Sequence, residues 1–239
     1  MTTTTEAKEH PIIFNGWSIR RMLAGKKTQT RRIMKPQPPH NQVHGPKLYT
    51  PAKDGPNGKI VPGEQIYGVY GPHGEWDRRC PYGPPGDVLW ARESFRLPAD
   101  ADDESPSEYV ESWEQARSAR ITTHYCADSD TNDPGIKWGR KRPSIHMPRE
   151  LCRLRLRVED IRVERVQEIS ADEAHAEGIK PLQQPHYEPK TTLQARKVQG
   201  AILIAQFANK WGEIHGDGAW ERNDYVWVIE FSRINDRSQ

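Results

Sequence analysis

A short basic run near the N-terminus is the part of this chain best suited to chemistry. Seven lysines and arginines lie between positions 20 and 35, with two threonines among them in the segment Gly-Lys-Lys-Thr-Gln-Thr-Arg-Arg. Clustered cations of this kind neutralise phosphate groups. Taken by itself, the run predicts a basic strand entrance that holds phosphates through Arg20, Arg21, Lys26 and Arg31.

Local signals predict the elements that position this run. Asn15 is a favourable helix N-cap and Gly25 a favourable stop, so we expect a helix over 17–24. The alternation of residues 26–34 then predicts a strand. Much later, the Ser170-Ala-Asp-Glu sequence is a capping box, which predicts a short helix that runs through Glu177 and ends at Gly178.

The remaining segments favour an α+β fold. Strands are predicted over 86–95, 152–166 and 225–234, and an apolar stripe at helical spacing is formed by Leu203, Phe207, Trp211 and Ile214. Residues 36–85 hold eleven prolines and eight glycines, and residues 97–143 begin with an acidic stretch. We interpret both as long insertions of ordered loops.

Composition excludes several classes of protein. The mean hydropathy of −0.91 and the 28% of charged residues argue against a membrane span. Three scattered cysteines do not form a secreted disulfide framework. The cysteines and histidines around Cys80, His124 and Cys126 lack the paired spacing of a zinc site, so we expect no metal. Residues 1–10 are predicted to be flexible and have no signal-peptide core, so we expect a soluble, cytoplasmic protein.

The charges are distributed in blocks of opposite sign. Residues 1–40 and 137–165 each carry a net charge of +6, whereas residues 97–133 carry −8. Such blocks fit a polyanion-binding face with an acidic flap elsewhere. They fit equally well a surface on which the blocks pair with each other.

Four motifs in this order resemble an ASCH domain of the PUA-like superfamily, in particular the larger versions of bacterial viruses. They are the helix end LAGKKTQTRR, the strand GDVLWARE, the helix SADEAHAEGI and the terminal strand WVIEF. The resemblance covers 11–35, 86–95 and 144–234. It implies a single domain over 11–234, a small β-barrel with two or three flanking helices, and insertions at 36–85 and 97–143. A viral member would act in the host cytoplasm.

The same resemblance implies catalytic roles. The family includes a small bacterial amidohydrolase that removes the acetyl group from N4-acetylcytidine. Its motif has a Lys, a Thr three residues later, an Arg two beyond that, and a Glu on the helix after the long strands. Lys27, Thr30, Arg32 and Glu177 occupy those positions here. The resemblance implies that Thr30 is the nucleophile, Lys27 its base and Glu177 the group that positions them or the substrate, with no cofactor.

These roles make chemical sense. A threonine hydroxyl needs an adjacent base before it can attack an amide. Lysine serves as that base only when neutral, and neighbouring cations together with burial would lower its pKa. Arg32 would stabilise a developing oxyanion. In a regular strand Lys27 and Thr30 lie on opposite faces, so they meet only if Lys27 occupies the turn after Gly25.

Other residues are expected to bind the substrate. Trp17 and Trp90 would stack on a base, and His146 would line the pocket, although it would equally well hold a loop by a hydrogen bond. A second hypothesis is a non-catalytic module that binds RNA or a modified base, since one fold hosts many functions. The expected partner is therefore a modified nucleoside or a nucleic acid, RNA rather than DNA, and no membrane.

Overall fold

A computed structural model describes residues 7–39, 42–115, 121–128, 135–180 and 191–234 of the 239-residue chain. It confirms a mixed α+β protein with several sheets, and four α-helices lie within these residues. The strands are β1 (Glu9–Ile13), β2 (Gln29–Ile33), β3 (His44–Tyr49), β4 (Ala52–Asp54), β5 (Ile60–Pro62), β6 (Ile66–Tyr70), β7 (Asp77–Arg79), β8 (Val88–Arg92), β9 (Phe95–Arg96), β10 (His124–Tyr125), β11 (Arg155–Arg165) and β12 (Tyr225–Arg233). The helices are α1 (Gly16–Leu23), α2 (Pro106–Gln115), α3 (Ala171–Ala176) and α4 (Thr192–His215).

The chain divides into two compact units. Unit 1 comprises Met1–Gly25, Asp87–Arg157 and Arg233–Gln239, and unit 2 comprises Lys26–Gly86 and Val158–Ser232. Strand β11 runs through the division, with its first three residues in unit 1 and the remainder in unit 2. The predicted insertion at 36–85 lies wholly in unit 2, and the predicted insertion at 97–143 lies wholly in unit 1.

Unit 1 has the strand order β1-β8-β11, in which β1 is parallel to β8 and β8 is antiparallel to β11. Strands β9 and β10 form a separate antiparallel pair. The hydrophobic core of unit 1 includes Phe95, Leu97, Tyr109 and Met147, which are at most 5% exposed. The region 97–143 therefore contributes α2 and part of a core, because Tyr109 lies on that helix.

Unit 2 has the strand order β11-β12-β2, and β12 is antiparallel to β2 with Ile229 opposite Thr30. Helix α3 packs against both α4 and β2. The region 36–85, which was predicted to be loops, instead forms the sheet β3-β6-β7 and the hairpin β4-β5. Alternation there is obscured because prolines or glycines lie within β3, β5 and β6, and because β4 and β7 are only three residues long.

The strand orders are open in both units. Within the described ranges no pairing closes the strands into a barrel, so the predicted barrel stays a prediction. No helix among the described residues is long and apolar enough to cross a membrane.

The local signals for the two helices beside the basic run are confirmed. The Asn15 side chain accepts a hydrogen bond from the Ser18 amide at 2.8 Å and caps α1. Gly25 follows the helix with a φ of +66°, a left-handed conformation that favours glycine. The Ser170 capping box begins α3, and Gly178 ends it with a φ of +94°. The stripe on α4 is confirmed for Leu203, Phe207 and Trp211, but Ile214 is 49% exposed.

Candidate functional site

Lys27 lies in the irregular connection that precedes β2, and not in the strand itself. The neighbouring Thr28 fixes this connection, because its amide donates to the carbonyl of Ala176 and its carbonyl accepts from the amide of Phe231, each at 2.9 Å. The connection is thereby bonded to the end of α3 and to β12. Lys27 is 5% exposed, so its ammonium group must find its partners inside unit 2.

Glu177 is the main partner of that ammonium group. Lys27 Nζ lies 2.5 Å from Glu177 Oε2 and 2.9 Å from the Glu177 carbonyl oxygen, and both side chains are buried. Glu177 is the C-cap residue of α3, and its amide still donates to the carbonyl of Glu173 at 2.8 Å. The helix end therefore presents a carbonyl and a carboxylate to one lysine.

The second carboxylate oxygen of Glu177 is differently placed. Glu177 Oε1 is buried and has no hydrogen-bond partner among the described residues. Glu177 Oε1 forms an ion pair with Arg31, whose Nη1 lies 3.6 Å from it. A buried acceptor without a hydrogen bond is costly, and it can accept one from a ligand.

Burial controls the charge of Lys27. It lowers the pKa of the Lys27 ammonium group below its ordinary value of 10.5, and Arg32 and Arg31 lower it further. The charge of Glu177 and its hydrogen bond act in the opposite direction. Burial is the largest of these effects, so the neutral amine of Lys27 is more accessible than that of a surface lysine.

Thr30 lies on β2, three residues after Lys27, and is 4% exposed. Because side chains alternate along a strand, Thr30 and Arg32 share one face of β2 and Arg31 lies on the other. The structure thus places Lys27 before the strand, as the pairing of Lys27 with Thr30 requires. The meeting of the Lys27 and Thr30 side chains stays a prediction.

Arg32 is half-buried on the Thr30 face. Burial lowers the pKa of its guanidinium group, whereas the nearby Tyr82 and Glu177 act to raise it. Arg32 is therefore electrostatically coupled to the carboxylate that binds Lys27. This arrangement brings the four residues of the predicted motif into unit 2.

Two residues near Arg32 were missed by the sequence reasoning. Tyr82 comes from the region predicted to be an insertion, and burial raises the pKa of its hydroxyl while Arg32 acts to lower it. His215 is the last residue of α4, with its ring centroid 4.1 Å from that of Trp211. Burial, then Arg32, lowers the pKa of His215. Its position four residues after Trp211 on the apolar stripe was an available signal, whereas Tyr82 had none.

The four predicted phosphate contacts differ in their surroundings. Lys26 and Arg20 are exposed, and Arg20 Nη1 donates to the carbonyl of Ala127 at 3.0 Å. Arg21 lies over the ring of Trp17 at 5.6 Å. The side chain of Arg31, in contrast, is 0% exposed and pairs with carboxylates. Its burial does not support the predicted phosphate contact.

The other predicted substrate residues belong to unit 1. Trp90 is half-buried on β8, with the guanidinium group of Arg92 at 5.3 Å from its ring centroid. His146 is exposed and ends the short 3-10 turn Ser144–His146. Trp17 is half-buried on α1. Their roles in substrate binding stay predictions.

A groove of about 320 Å³ lies beside β2 in unit 2. Four of its lining residues are acidic, namely Glu159, Asp172, Glu173 and Glu230. Within the described part of the chain, no group of three or more His, Cys, Asp or Glu side chains is arranged to hold a metal ion.

No protein family, curated protein or solved structure was found to match this chain.

Proposed function

We propose that this protein is an amidohydrolase that removes an acyl group from N4-acylated cytosine nucleosides or a related modified nucleoside. The observation that carries the proposal is the buried pair of Lys27 and Glu177, 2.5 Å apart, at the start of the strand that bears Thr30. Burial lowers the pKa of Lys27. A lysine with a lowered pKa is better suited to act as a base than a surface lysine.

In the proposed reaction, neutral Lys27 Nζ takes the proton of Thr30 Oγ as that oxygen attacks the acyl carbonyl carbon. The carbon–nitrogen bond then breaks, and the proton passes from Lys27 to the departing cytosine amine. Water then attacks the resulting ester on Thr30, and Lys27 accepts a proton from that water. As the ester bond breaks, Lys27 returns the proton to Thr30 Oγ, and the carboxylic acid is released. The balance is one amide plus one water giving one acid plus one amine, so no other reactant is needed.

Glu177 and Arg32 have supporting roles in this scheme. Glu177 Oε2 orients Lys27, and its buried Oε1 is available to accept a hydrogen bond from a substrate donor such as the amide N–H. Arg32, on the same face of β2 as Thr30, stabilises the oxyanion that forms when Thr30 attacks. Tyr82 and His215, which are coupled to Arg32, are proposed to line the base-binding side of the site.

We also propose that the fold is that of an ASCH domain, a PUA-like barrel, as the order of the four motifs implies. The contact of Lys27 with Glu177 supports this proposal, because it joins two motif positions that are 150 residues apart in the sequence. The open strand orders within the described residues leave the barrel as a proposal.

The charges favour the hydrolase over a module that binds RNA or a modified base without catalysis. The buried Arg31 is engaged by carboxylates. The groove beside β2 is lined by four acidic side chains and by no lysine or arginine, so it offers a phosphate backbone no cation. An uncharged nucleoside needs none.

The test is release of acid from N4-acetylcytidine and a panel of other N4-acylcytosines. Lys27→Ala and Thr30→Ala should abolish turnover, whereas Lys26→Ala is the matched control, because Lys26 is the adjacent exposed lysine. Full turnover by Thr30→Ala would refute the nucleophile assignment. If the wild type is inactive across the panel and binds RNA with a steep salt dependence, the protein is a binding module.

A further inference from the structure

Arg31 is the most completely buried cation of the candidate site. Its side chain is 0% exposed, and it lies on the face of β2 opposite to Thr30. Its guanidinium carbon lies 5.9 Å from the ring centroid of Phe207 on α4. A buried guanidinium group is tolerated only when carboxylates compensate its charge, and the choice of those carboxylates indicates what the residue does.

Three glutamates from two elements surround Arg31. Its Nη2 lies 3.0 Å from Glu164 Oε2 on β11 and 3.3 Å from Glu173 Oε2 on α3. Its Nη1 lies 3.6 Å from Glu177 Oε1. The planar guanidinium fork therefore spans from β11 to the oxygen of Glu177 that Lys27 does not bind.

The glutamates on the Nη2 side are themselves held. Glu164 and Glu173 both also pair with Arg162. Burial acts to raise the pKa of Glu173, but hydrogen bonds from Ser170 and the charges of Arg31 and Arg162 bring it to about 2, so it stays ionised. Arg31 is thus anchored on one side by fixed negative charge and faces Glu177 with the other.

We propose that Arg31 is a positioning residue that holds the Glu177 carboxylate so that Oε2 is directed at Lys27 and Oε1 is left for the substrate. This inference rests on the proposed function, and it adds a residue outside the Lys-Thr-Arg-Glu motif. The direction of its influence on Lys27 follows from charge. Arg31 repels the ammonium form and attracts the carboxylate that would otherwise stabilise that form, so it favours the neutral amine.

Glu177 from the end of α3 and both Arg31 and Arg32 from β2 act on the charge of Lys27. Beyond them, Tyr82 acts on the pKa of Arg32, and Arg32 acts on that of His215. Removal of Arg31 should therefore leave Glu177 free to stabilise the ammonium form more strongly. The protonation midpoint of Lys27 should then move to higher pH. A merely structural role of Arg31 would change stability without moving that midpoint.

The experiment compares Arg31→Met with Arg162→Met. Arg162 is the matched control, because it also pairs with Glu164 and Glu173 but has neither Lys27 nor Glu177 among its ion pairs. The first readout is the NMR titration of the Lys27 side chain in protein labelled with ¹⁵N-lysine. The second readout is the pH profile of kcat/KM on an N4-acylcytosine that the wild type hydrolyses.

For Arg31→Met we expect the Lys27 midpoint and the acidic limb of the profile to move to higher pH. We expect kcat/KM at pH 7 to fall about 100-fold, the loss typical of a small misplacement of a catalytic group. Arg162→Met should leave the midpoint unchanged. An unchanged midpoint in Arg31→Met, or an equal shift in both variants, overturns the proposal.

Arg31→Lys covers the case in which Arg31→Met does not fold. It keeps the charge but loses the planar fork, so kcat should fall while the Lys27 midpoint stays near that of the wild type. Wild-type kcat in this variant would overturn the positioning role. If the wild type hydrolyses no substrate of the panel, the proposed function fails, whereas the NMR titration still tests Arg31.

Discussion

Lys27→Met is expected to remove a pH-dependent part of the free energy of unfolding. Burial lowers the pKa of Lys27 in the folded protein below its ordinary value of 10.5. Between these two pKa values the unfolded chain holds a proton on Lys27 that the folded protein has lost. The free energy of unfolding therefore rises with pH in this window. The contribution of Lys27 is fully present above pH 10.5 and is lost as the pH falls through the folded-state pKa.

The size of the effect follows from a single proton. A difference of one bound proton changes the free energy of unfolding by about 1.4 kcal/mol per pH unit at 25 °C. This value is the upper limit for the difference in slope between the wild type and Lys27→Met. Methionine cannot ionise, so Lys27→Met lacks this loss of stability. The free energy of unfolding of the variant should therefore increase relative to that of the wild type as the pH falls through the window. The absolute offset between the curves has another origin, because Glu177 loses its buried partner.

The assay is urea unfolding of both proteins at half-unit intervals from pH 6 to about pH 10.5, with linear extrapolation to water. Burial raises the pKa of Cys80 to about 12 and that of Tyr67 to about 12, so these groups reduce stability at high pH. They do so equally in both proteins and cancel in the difference. Lys26→Met serves as the control for loss of a surface charge. Parallel curves for the wild type and Lys27→Met would refute the reasoning.

Three further outcomes are expected. Arg153→Met should lower the free energy of unfolding by about 3–5 kcal/mol in urea denaturation. The variant leaves the carboxylate of Glu93, which is 1% exposed, without its two hydrogen bonds of 2.9 and 3.0 Å from Arg153. If the double variant Arg153→Met/Glu93→Gln loses less stability than Arg153→Met alone, the unpaired carboxylate is the cause; a larger loss would contradict it. Ser170→Ala should cost about 1 kcal/mol by loss of the cap of α3, again in urea, and a loss near zero would mean that the cap is not needed. Cys80 should resist iodoacetamide in the native protein at pH 8 and react in urea, as followed by mass spectrometry, because it is 3% exposed and its pKa is raised to about 12; rapid native labelling would contradict this.

The features that the sequence predicted well are those with local causes. Asn15 and Ser170 cap helices through hydrogen bonds to residues three positions away, and Gly25 and Gly178 adopt the left-handed conformation expected after a helix. Such signals are readable because donor and acceptor lie within one turn. They placed the two chain segments that form the candidate site.

Features with distant causes were not predictable. Arg31 has the same local context as Arg32, and its burial depends on Glu164, which is 133 residues away. Tyr82 acts on the pKa of Arg32 although it lies far along the chain, in a proline-rich region that also forms strands in unit 2. The register of β12 against β2 determines which face each residue of β2 occupies. The pattern within the nine residues of β12 does not specify that β2 is its partner.

The pairing of β2 with β12 also sets when the site can exist. Arg31 lies opposite Val228, so the pairing of β2 with β12 can form only after almost 200 further residues have been synthesised. At a synthesis rate of 5–20 residues per second, this delay is roughly 10–40 s. Glu177, the partner of Lys27, is likewise synthesised 150 residues after it. A nascent or prematurely terminated chain therefore carries the basic run without the partners of the candidate site, and the proposed activity should begin only after β12 has been made.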